Sequence, residues 1–142
     1  MSLIQLRDLK KTYKMGKLEF EALKGVDLDI DEGQLVAIVG SSGSGKSTML
    51  NMITGIDRPT GGSVTIAGDR IDQMKEDKLA AWRGANVGIV FQFFQLFPTL
   101  TALENVMLPM DFLGRGSVAE RKERARERLG PGVPLCRGDR RR

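Results

Sequence analysis

The chain has 142 residues, which is enough for one domain with a modest hydrophobic core. Its net charge is +4, and residues 115–142 hold 10 of the 22 basic residues but only 4 of the 18 acidic ones. The residues before 115 contain no basic stripe with interleaved aromatics, and this argues against nucleic-acid binding. One cysteine, Cys136, and no histidine exclude a disulfide framework or a Cys/His metal site within one chain and fit a reducing, cytosolic setting.

The first third of the chain predicts β structure. Ile4 and Leu6 begin one strand, and apolar residues alternate with aspartates over residues 26–31, as in a half-buried antiparallel strand. Residues 35–39 form an apolar run rich in β-branched residues, which predicts a strand that is buried on both faces. Residues 48–54 then predict a helix.

Between this run and this helix, residues 40–47 fit the phosphate-loop pattern G-x-x-x-x-G-K-[ST]. The glycines allow the backbone N–H groups to point at phosphate oxygens, and the helix dipole adds to the attraction. Lys46 is expected to reach the outer phosphates, and the hydroxyl of Ser47 to hold Mg²⁺. The alternative is a glycine-rich turn that binds nothing.

Beyond the phosphate loop, residues 57–62 predict a turn, residues 63–68 a strand, residues 75–83 a short helix and residues 87–91 a second buried strand. That strand leads into Gln92 and an aromatic loop, residues 93–98. Two capping boxes, Thr101 to Glu104 and Ser117 to Glu120, each predict the start of a helix. The second helix is expected to end near Leu129.

These motifs resemble the N-terminal half of the ATP-binding subunit of an ABC transporter, and they are most similar to the lipoprotein-releasing, macrolide-export and cell-division group. The residues that carry the likeness are the sequences at 23–28, 39–48, 59–62, 90–92 and 96–106. The resemblance implies an α/β fold, with a P-loop NTPase core and an N-terminal antiparallel β subdomain, which is incomplete at the C-terminus. The resemblance covers roughly residues 2–129, and residues 1–129 are expected to form a partial nucleotide-binding domain.

The resemblance also implies site residues. Tyr13 matches the aromatic residue that stacks on adenine, and Gln92 matches the glutamine that reaches Mg²⁺ and the attacking water, so Mg²⁺ is assigned to Ser47 and Gln92. The alternatives are an ordinary turn aromatic for Tyr13 and a solvated loop amide for Gln92. The apolar loop residues Phe93, Phe94, Leu96 and Phe97 either lie near the contact with the membrane subunit or pack in the core. The implied ATP-binding set is Tyr13, Gly40, Ser41, Ser42, Gly43, Ser44, Gly45, Lys46, Ser47 and Thr48.

Three further motifs of the family are missing from the sequence, namely a Leu-Ser-Gly-Gly-Gln-like signature, a strand that ends in Asp-Glu and a later histidine. Residues 106–111 resemble that strand only superficially, because Phe112 stands in the place of the Glu and Pro109 would interrupt the strand. Asp111 is therefore not expected to be catalytic, and ATP binding is expected without ready turnover.

The expected function is ATP binding within a transporter ATPase that couples ATP hydrolysis to work on a membrane permease, at the cytoplasmic face of the membrane and as a homodimer in its intact form. A catalytically inactive nucleotide-binding or regulatory protein that docks on a membrane partner is the alternative. Another P-loop enzyme, such as a small-molecule kinase, would share only the loop.

Residues 130–142 differ abruptly from the helix that precedes them. Gly, Pro and Arg make up nine of these 13 residues, and the only cysteine lies among them. Such a composition lacks apolar periodicity and predicts a disordered basic tail. A change of reading frame near codon 130 would produce it, and a natural flexible terminus is the alternative.

Overall fold

The computed structural model describes residues 2–93 and 95–130, and these residues fall into two compact units that divide between Arg83 and Gly84. Phe94 and all of the predicted tail except Gly130 lie outside the described residues.

The first unit is built on a four-stranded antiparallel sheet with the order β2-β1-β3-β4. Its strands are β1 (Ser2–Met15), β2 (Leu18–Asp31), β3 (Gly61–Ile66) and β4 (Asp69–Arg70). Between β2 and β3 lies the helix α1 (Lys46–Ile53), which contacts both strands. A 3-10 turn (Ile71–Gln73) and the start of helix α2 (Glu76–Asn86) follow β4.

One face of this sheet covers the core of the first unit. The largest fully buried side chains are Leu6, Leu9, Met52, Val64 and Leu79. Leu6 and Leu9 both point inward because the register between β1 and β2 shifts between them, at a bulge where Asp8 adopts a φ of +45°. The predicted alternation in β2 is confirmed, since Val26, Leu28 and Ile30 are half-buried and the aspartates between them are exposed.

The second unit contains both predicted helices, as α3 (Ala102–Phe112) and α4 (Val118–Leu129). Both capping boxes are confirmed with both of their hydrogen bonds, Thr101 with Glu104 and Ser117 with Glu120. Residues 106–111, which superficially resemble a strand, lie within α3. The two helices pack through Leu103, Met107 and Ala125, and residues Val106, Met110 and Leu129 flank this cluster.

Two predicted strands are wrong. Residues 35–39 and 87–91 form no strand, and Leu35 is 102 % exposed, Val39 87 % and Val90 100 %. A strand needs neighbouring strands to satisfy its backbone N–H and C=O groups, and within residues 2–93 and 95–130 no strand pairs with either segment.

Candidate functional site

Gly45, the last glycine of the phosphate loop, occupies a position that strongly disfavours a side chain. Gly45 caps α1 with a φ of +90°, and a β-carbon on it would lie 2.7 Å from the carbonyl oxygen of Ala22 and 3.1 Å from Cδ2 of Leu23. The glycine in the motif therefore allows the loop to pass close to β2 and turn into the helix. The contact fixes where α1 begins relative to the sheet.

The N-terminus of α1 is suited to an anion. No described side chain caps it, and its first turn contains no acidic residue. Its first N–H groups thus point out of the helix with the positive end of the helix dipole behind them. Phosphate oxygens are the natural partners for N–H groups in this position.

Lys46 lies folded back over the loop. Its Nζ donates hydrogen bonds to the carbonyl oxygens of Gly40 (2.9 Å) and Ser41 (2.6 Å), and to Oγ of Ser44 (3.4 Å). These three oxygens hold the ammonium group at the mouth of the loop, where phosphate oxygens can replace them as acceptors. The structure thus places the predicted phosphate-binding cation within the predicted loop.

Two cavities adjoin the phosphate loop. One, of about 410 Å³, is lined by residues of β2 and of the loop with the start of α1, namely Phe20, Ala22, Ser42, Gly43, Ser44, Gly45, Lys46, Ser47 and Thr48. The other, of about 390 Å³, has its lining from Leu23, Val26, Ile38, Val39, Gly40, Ser41, Ser44, Gly45, Lys46 and Met49. Both volumes lie in the range typical of small-molecule sites. Every predicted residue from Gly40 to Thr48 lines one or both.

Phe20 is a candidate site residue that the sequence analysis missed. It lines the larger cavity, its side chain is 55 % exposed, and it lies directly opposite Tyr13 across the β1–β2 hairpin. Opposite residues in an antiparallel pair point to the same face, so both rings lie on one side of the hairpin. The alternation of Leu18, Phe20 and Ala22 with Glu19 and Glu21 is the sequence signal for it.

Tyr13 lines neither of these two cavities, and its surroundings are polar. Its hydroxyl donates to Oδ2 of Asp57 (3.1 Å), and Nζ of Lys11 lies 4.9 Å from the centroid of its ring. Lys11 is buried and donates to Oδ1 of Asp57 (2.8 Å) and to the carbonyl oxygen of Arg58 (2.7 Å). The sequence analysis missed Lys11 and treated Asp57 as a turn residue, because 46 residues separate the two partners.

The Asp57 carboxylate is held in its charged form. Burial by itself raises the pKa of Asp57, but hydrogen bonds from Lys11, from the backbone N–H of Arg58 and from Tyr13, with the charge of Lys11, outweigh burial and lower the pKa below its ordinary value. Asp57 is therefore a permanent acceptor for the Tyr13 hydroxyl near neutral pH.

The two residues assigned to Mg²⁺ belong to different units. Ser47 is exposed in the first turn of α1, and Gln92 is exposed in the second unit, in a stretch without helix or strand. In the residues that the structure describes, no group of three or more His, Cys, Asp or Glu residues is placed to hold a metal ion. A metal ion at Ser47 would therefore take most of its oxygen ligands from phosphate and water, as Mg²⁺ commonly does.

The described residues of the aromatic loop after Gln92 are exposed. Phe93, Leu96 and Phe97 are each more than half exposed, so packing in the core, the alternative for this loop, is wrong for these three residues. Asn105 of α3 orders the end of the loop: its Nδ2 donates to the carbonyl oxygens of Phe97, Leu100 and Thr101, and its Oδ1 accepts from the N–H of Phe97. Of the helices that the described ranges contain, none is long and apolar enough to cross a membrane.

A family model described as "ABC transporter" matches residues 23–133. Because this match covers more than half of the chain, the chain belongs to the ABC transporter family, and its α/β fold is that of the N-terminal half of an ABC ATPase cassette. The predicted resemblance and fold class are confirmed.

Similar proteins are ATP-binding proteins of transporters. The uncharacterized ABC transporter ATP-binding protein YknY of Bacillus subtilis is 48 % identical over 130 residues, which are 90 % of this chain and 56 % of that protein. The lipoprotein-releasing system ATP-binding protein LolD of Bacteroides thetaiotaomicron is 46 % identical over 89 % of this chain and 56 % of its own length. The chain thus spans about half the length of these relatives.

A solved structure shows the same architecture. The ATP-binding cassette MJ0796 from Methanocaldococcus jannaschii, in a dimeric post-hydrolysis state bound to ADP and Pi, matches with a TM-score of 0.82 and 50 % identity, over 89 % of this chain and 55 % of that one.

Proposed function

We propose that this chain binds Mg-ATP through the phosphate loop, as part of the ATPase subunit of an ABC transporter. The observation that carries the proposal is the uncapped N-terminus of α1, with the Lys46 ammonium folded over the loop beside a cavity of about 410 Å³. The similar cassette is bound to ADP and Pi, which supports nucleotide binding by this chain.

Within this proposal, the residues from Gly40 to Thr48 bind the phosphates, Tyr13 receives the adenine ring, and Ser47 holds Mg²⁺. The assignment of Gln92 to the same ion stays a prediction from the resemblance. The exposed hydroxyl of Ser47, at the start of α1 and on the cavity wall, fits a hard cation that also binds phosphate oxygens. When bound, the ion would neutralise part of the negative charge on the phosphates.

In the whole protein, ATP hydrolysis would drive work on a membrane permease, with the ATPase at the cytoplasmic face of the membrane and acting as a homodimer. The names of the relatives, which are ATP-binding proteins of transporters, and the dimeric state of the similar cassette support this arrangement. The exposed loop at Phe93, Leu96 and Phe97 is the part of the second unit that we assign to the permease contact.

A second candidate function is nucleotide binding without turnover. Asp111 was the residue that superficially resembled the metal-binding Asp of the family. It lies in α3 and not at the end of a strand, and its carboxylate pairs with Arg121 at 3.2 Å, which favours binding without hydrolysis. The sequence also has no histidine and no Ser-Gly-Gly-Gln run. On this reading the chain docks on a membrane partner and responds to ATP without hydrolysing it.

The test measures equilibrium binding of Mg-ATP and steady-state phosphate release on the same protein. We expect binding that Lys46→Ala weakens about tenfold or more, because the ammonium makes charge-assisted hydrogen bonds to phosphate. Lys78→Ala, at an exposed lysine of α2, is the matched control and should bind as the unsubstituted chain does. Unchanged ATP affinity in Lys46→Ala would refute the proposal.

Phosphate release then separates the two candidates. No sustained release is expected from the isolated chain, because its sequence lacks the signature and the Asp-Glu pair. Sustained release that disappears in Lys46→Ala would instead establish the chain as a working ATPase.

A further inference from the structure

Three side chains of the first unit, Lys11, Tyr13 and Asp57, form a closed cluster. The hydroxyl of Tyr13 donates to Oδ2 of Asp57 at 3.1 Å, and Nζ of Lys11 donates to Oδ1 of the same carboxylate at 2.8 Å. The ammonium group of Lys11 also lies 4.9 Å from the centre of the Tyr13 ring, which is a cation–π distance. Each member therefore contacts the other two.

This cluster is anchored to the helix that begins at the phosphate loop. Asp57 follows α1, and its backbone N–H donates to the carbonyl oxygen of Asn51 in that helix at 3.2 Å. The N-terminal residue of α1 is Lys46, which belongs to the phosphate loop. A helix of eight residues is about 12 Å long, so Asp57 connects the Tyr13 ring to the phosphate loop through one rigid element.

We propose that Asp57 and Lys11 are positioning residues for the nucleobase, which hold the Tyr13 ring ready to receive the base of a nucleotide whose phosphates lie on the loop. The inference rests on the proposed function. Lys11 occupies one face of the ring, and the base stacks on the other. A ring that is already fixed loses little side-chain freedom when the base arrives, and this lowers the cost of binding.

The charges of the cluster favour a single arrangement of its side chains. A buried lysine is costly unless its charge is paired and its N–H groups are bonded. Lys11 satisfies this condition with Asp57 and with the carbonyl oxygen of Arg58 (2.7 Å). Removal of the Asp57 carboxylate leaves the Lys11 ammonium without its ion pair and the Tyr13 hydroxyl without its acceptor. The ring would then lose its fixed orientation.

The test compares two ligands that share phosphates but differ in the base, Mg-ATP and inorganic Mg-tripolyphosphate, by titration calorimetry on the full chain. Tyr13→Phe keeps the ring and removes only its hydrogen bond, and Asp57→Asn removes the carboxylate. Each should weaken ATP binding roughly 2- to 12-fold, the range of one net hydrogen bond, and change tripolyphosphate binding by less than twofold. Lys11→Met should behave in the same way.

Lys10→Met is the matched control, because Lys10 lies on the same strand and pairs with Asp8 as an exposed ion pair. It should leave both affinities unchanged. A second measurement uses the fact that Tyr13 is the only tyrosine of the chain. With ring-¹³C-labelled tyrosine, ATP should shift the single NMR signal through the ring current of adenine, and tripolyphosphate should not.

Two outcomes would overturn the inference: equal weakening of both ligands by Tyr13→Phe and Asp57→Asn, which indicates a role in folding alone, or no weakening of either. If Asp57→Asn does not fold, Tyr13→Phe decides. The proposed function is tested separately by Lys46→Ala, which should weaken both ligands. A chain that binds tripolyphosphate but not ATP would overturn the inference and leave the phosphate loop in place.

Discussion

The backbone of Gly62 in β3 passes directly against the backbone of Asp8 in β1. A β-carbon on Gly62 would collide with the carbonyl oxygen of Asp8 and would lie 2.5 Å from that of Arg7, and Gly62 has a φ of +80°. Asp8 is itself the bulge residue that allows Leu6 and Leu9 both to face the core. The glycine therefore makes room for the bulge that arranges the core.

Gly62→Ala should lower the free energy of unfolding by about 2–4 kcal/mol, because it adds both a left-handed backbone penalty and a collision. Gly68→Ala is the matched control, since Gly68 has a φ of +85° but no atom within 4 Å of an added β-carbon. It should cost only about 1 kcal/mol. Urea unfolding followed by circular dichroism measures both, and equal losses would show that the approach to Asp8 is unimportant.

Phe20→Ala should weaken ATP binding about fivefold or more and leave Mg-tripolyphosphate binding unchanged, because stacking on an aromatic ring contributes roughly 1–3 kcal/mol per base. Phe20 lines the cavity of about 410 Å³ beside the phosphate loop. Leu18→Ala is the control, since Leu18 is exposed on the same strand and lines neither cavity of the phosphate loop. An ATP affinity within twofold of the unsubstituted chain would remove Phe20 from the base site.

Asp72 should make the first unit sensitive to acid. Burial by itself raises the pKa of Asp72, but hydrogen bonds from the Arg70 guanidinium and the N–H of Val64 outweigh it and hold the pKa below its ordinary value of 3.8. A lowered folded pKa means that the carboxylate stabilises the fold fully above the unfolded pKa, and that this contribution is lost as the pH falls through the folded pKa.

Asp72→Asn should therefore destabilise the chain by about 1–3 kcal/mol at pH 7 and by much less near pH 2. The pKa of Asp57 is also lowered, so its contribution to stability is likewise lost as the pH falls. Urea titrations at both pH values measure the difference, and Asp69→Asn, at an exposed neighbour, is the control. The same loss at both pH values would show that the charge of Asp72 does not stabilise the fold.

The exposed apolar side chains of residues 35–39 and 87–91 should affect the solubility of the chain but not its free energy of unfolding. Leu35→Lys and Val90→Lys change side chains that are fully exposed, so each should alter the free energy of unfolding by no more than about 0.5 kcal/mol while reducing self-association. Leu79→Lys, in the buried core, should unfold the first unit. Sedimentation and urea unfolding check both expectations, and a large loss of stability in Val90→Lys would mean that residues 87–91 are packed in solution.

How far the sequence predicted the structure depended on the distance between interacting residues. The starts of α3 and α4 were predictable to the residue, because Thr101 with Glu104 and Ser117 with Glu120 are complete signals within four positions. The phosphate loop was predictable for the same reason. The run at 35–39 was mistaken for a strand, because an apolar pattern does not say whether partner strands are present.

The site showed the same limit. Lys46 and the loop are adjacent in sequence, and their arrangement followed from the motif. The link from Tyr13 to Asp57 joins residues 44 positions apart, and Phe20 reaches the loop only through the fold of the hairpin. No local pattern announces such contacts, since each depends on the register and on the path of the backbone.

The two capping boxes have a consequence for the order in which the chain acquires structure during translation. Each start signal of α3 and α4 is complete once four consecutive residues have been synthesised, so these helices need no distant partner to begin. The β1 strand, in contrast, pairs with β3, so its pairing can be completed only after residue 66 has been synthesised. Contacts between distant residues form slowly, whereas local ones form quickly. A ribosome-bound chain would thus gain its late helices soon after they emerge, while its earliest strand is completed only from the middle of the sequence.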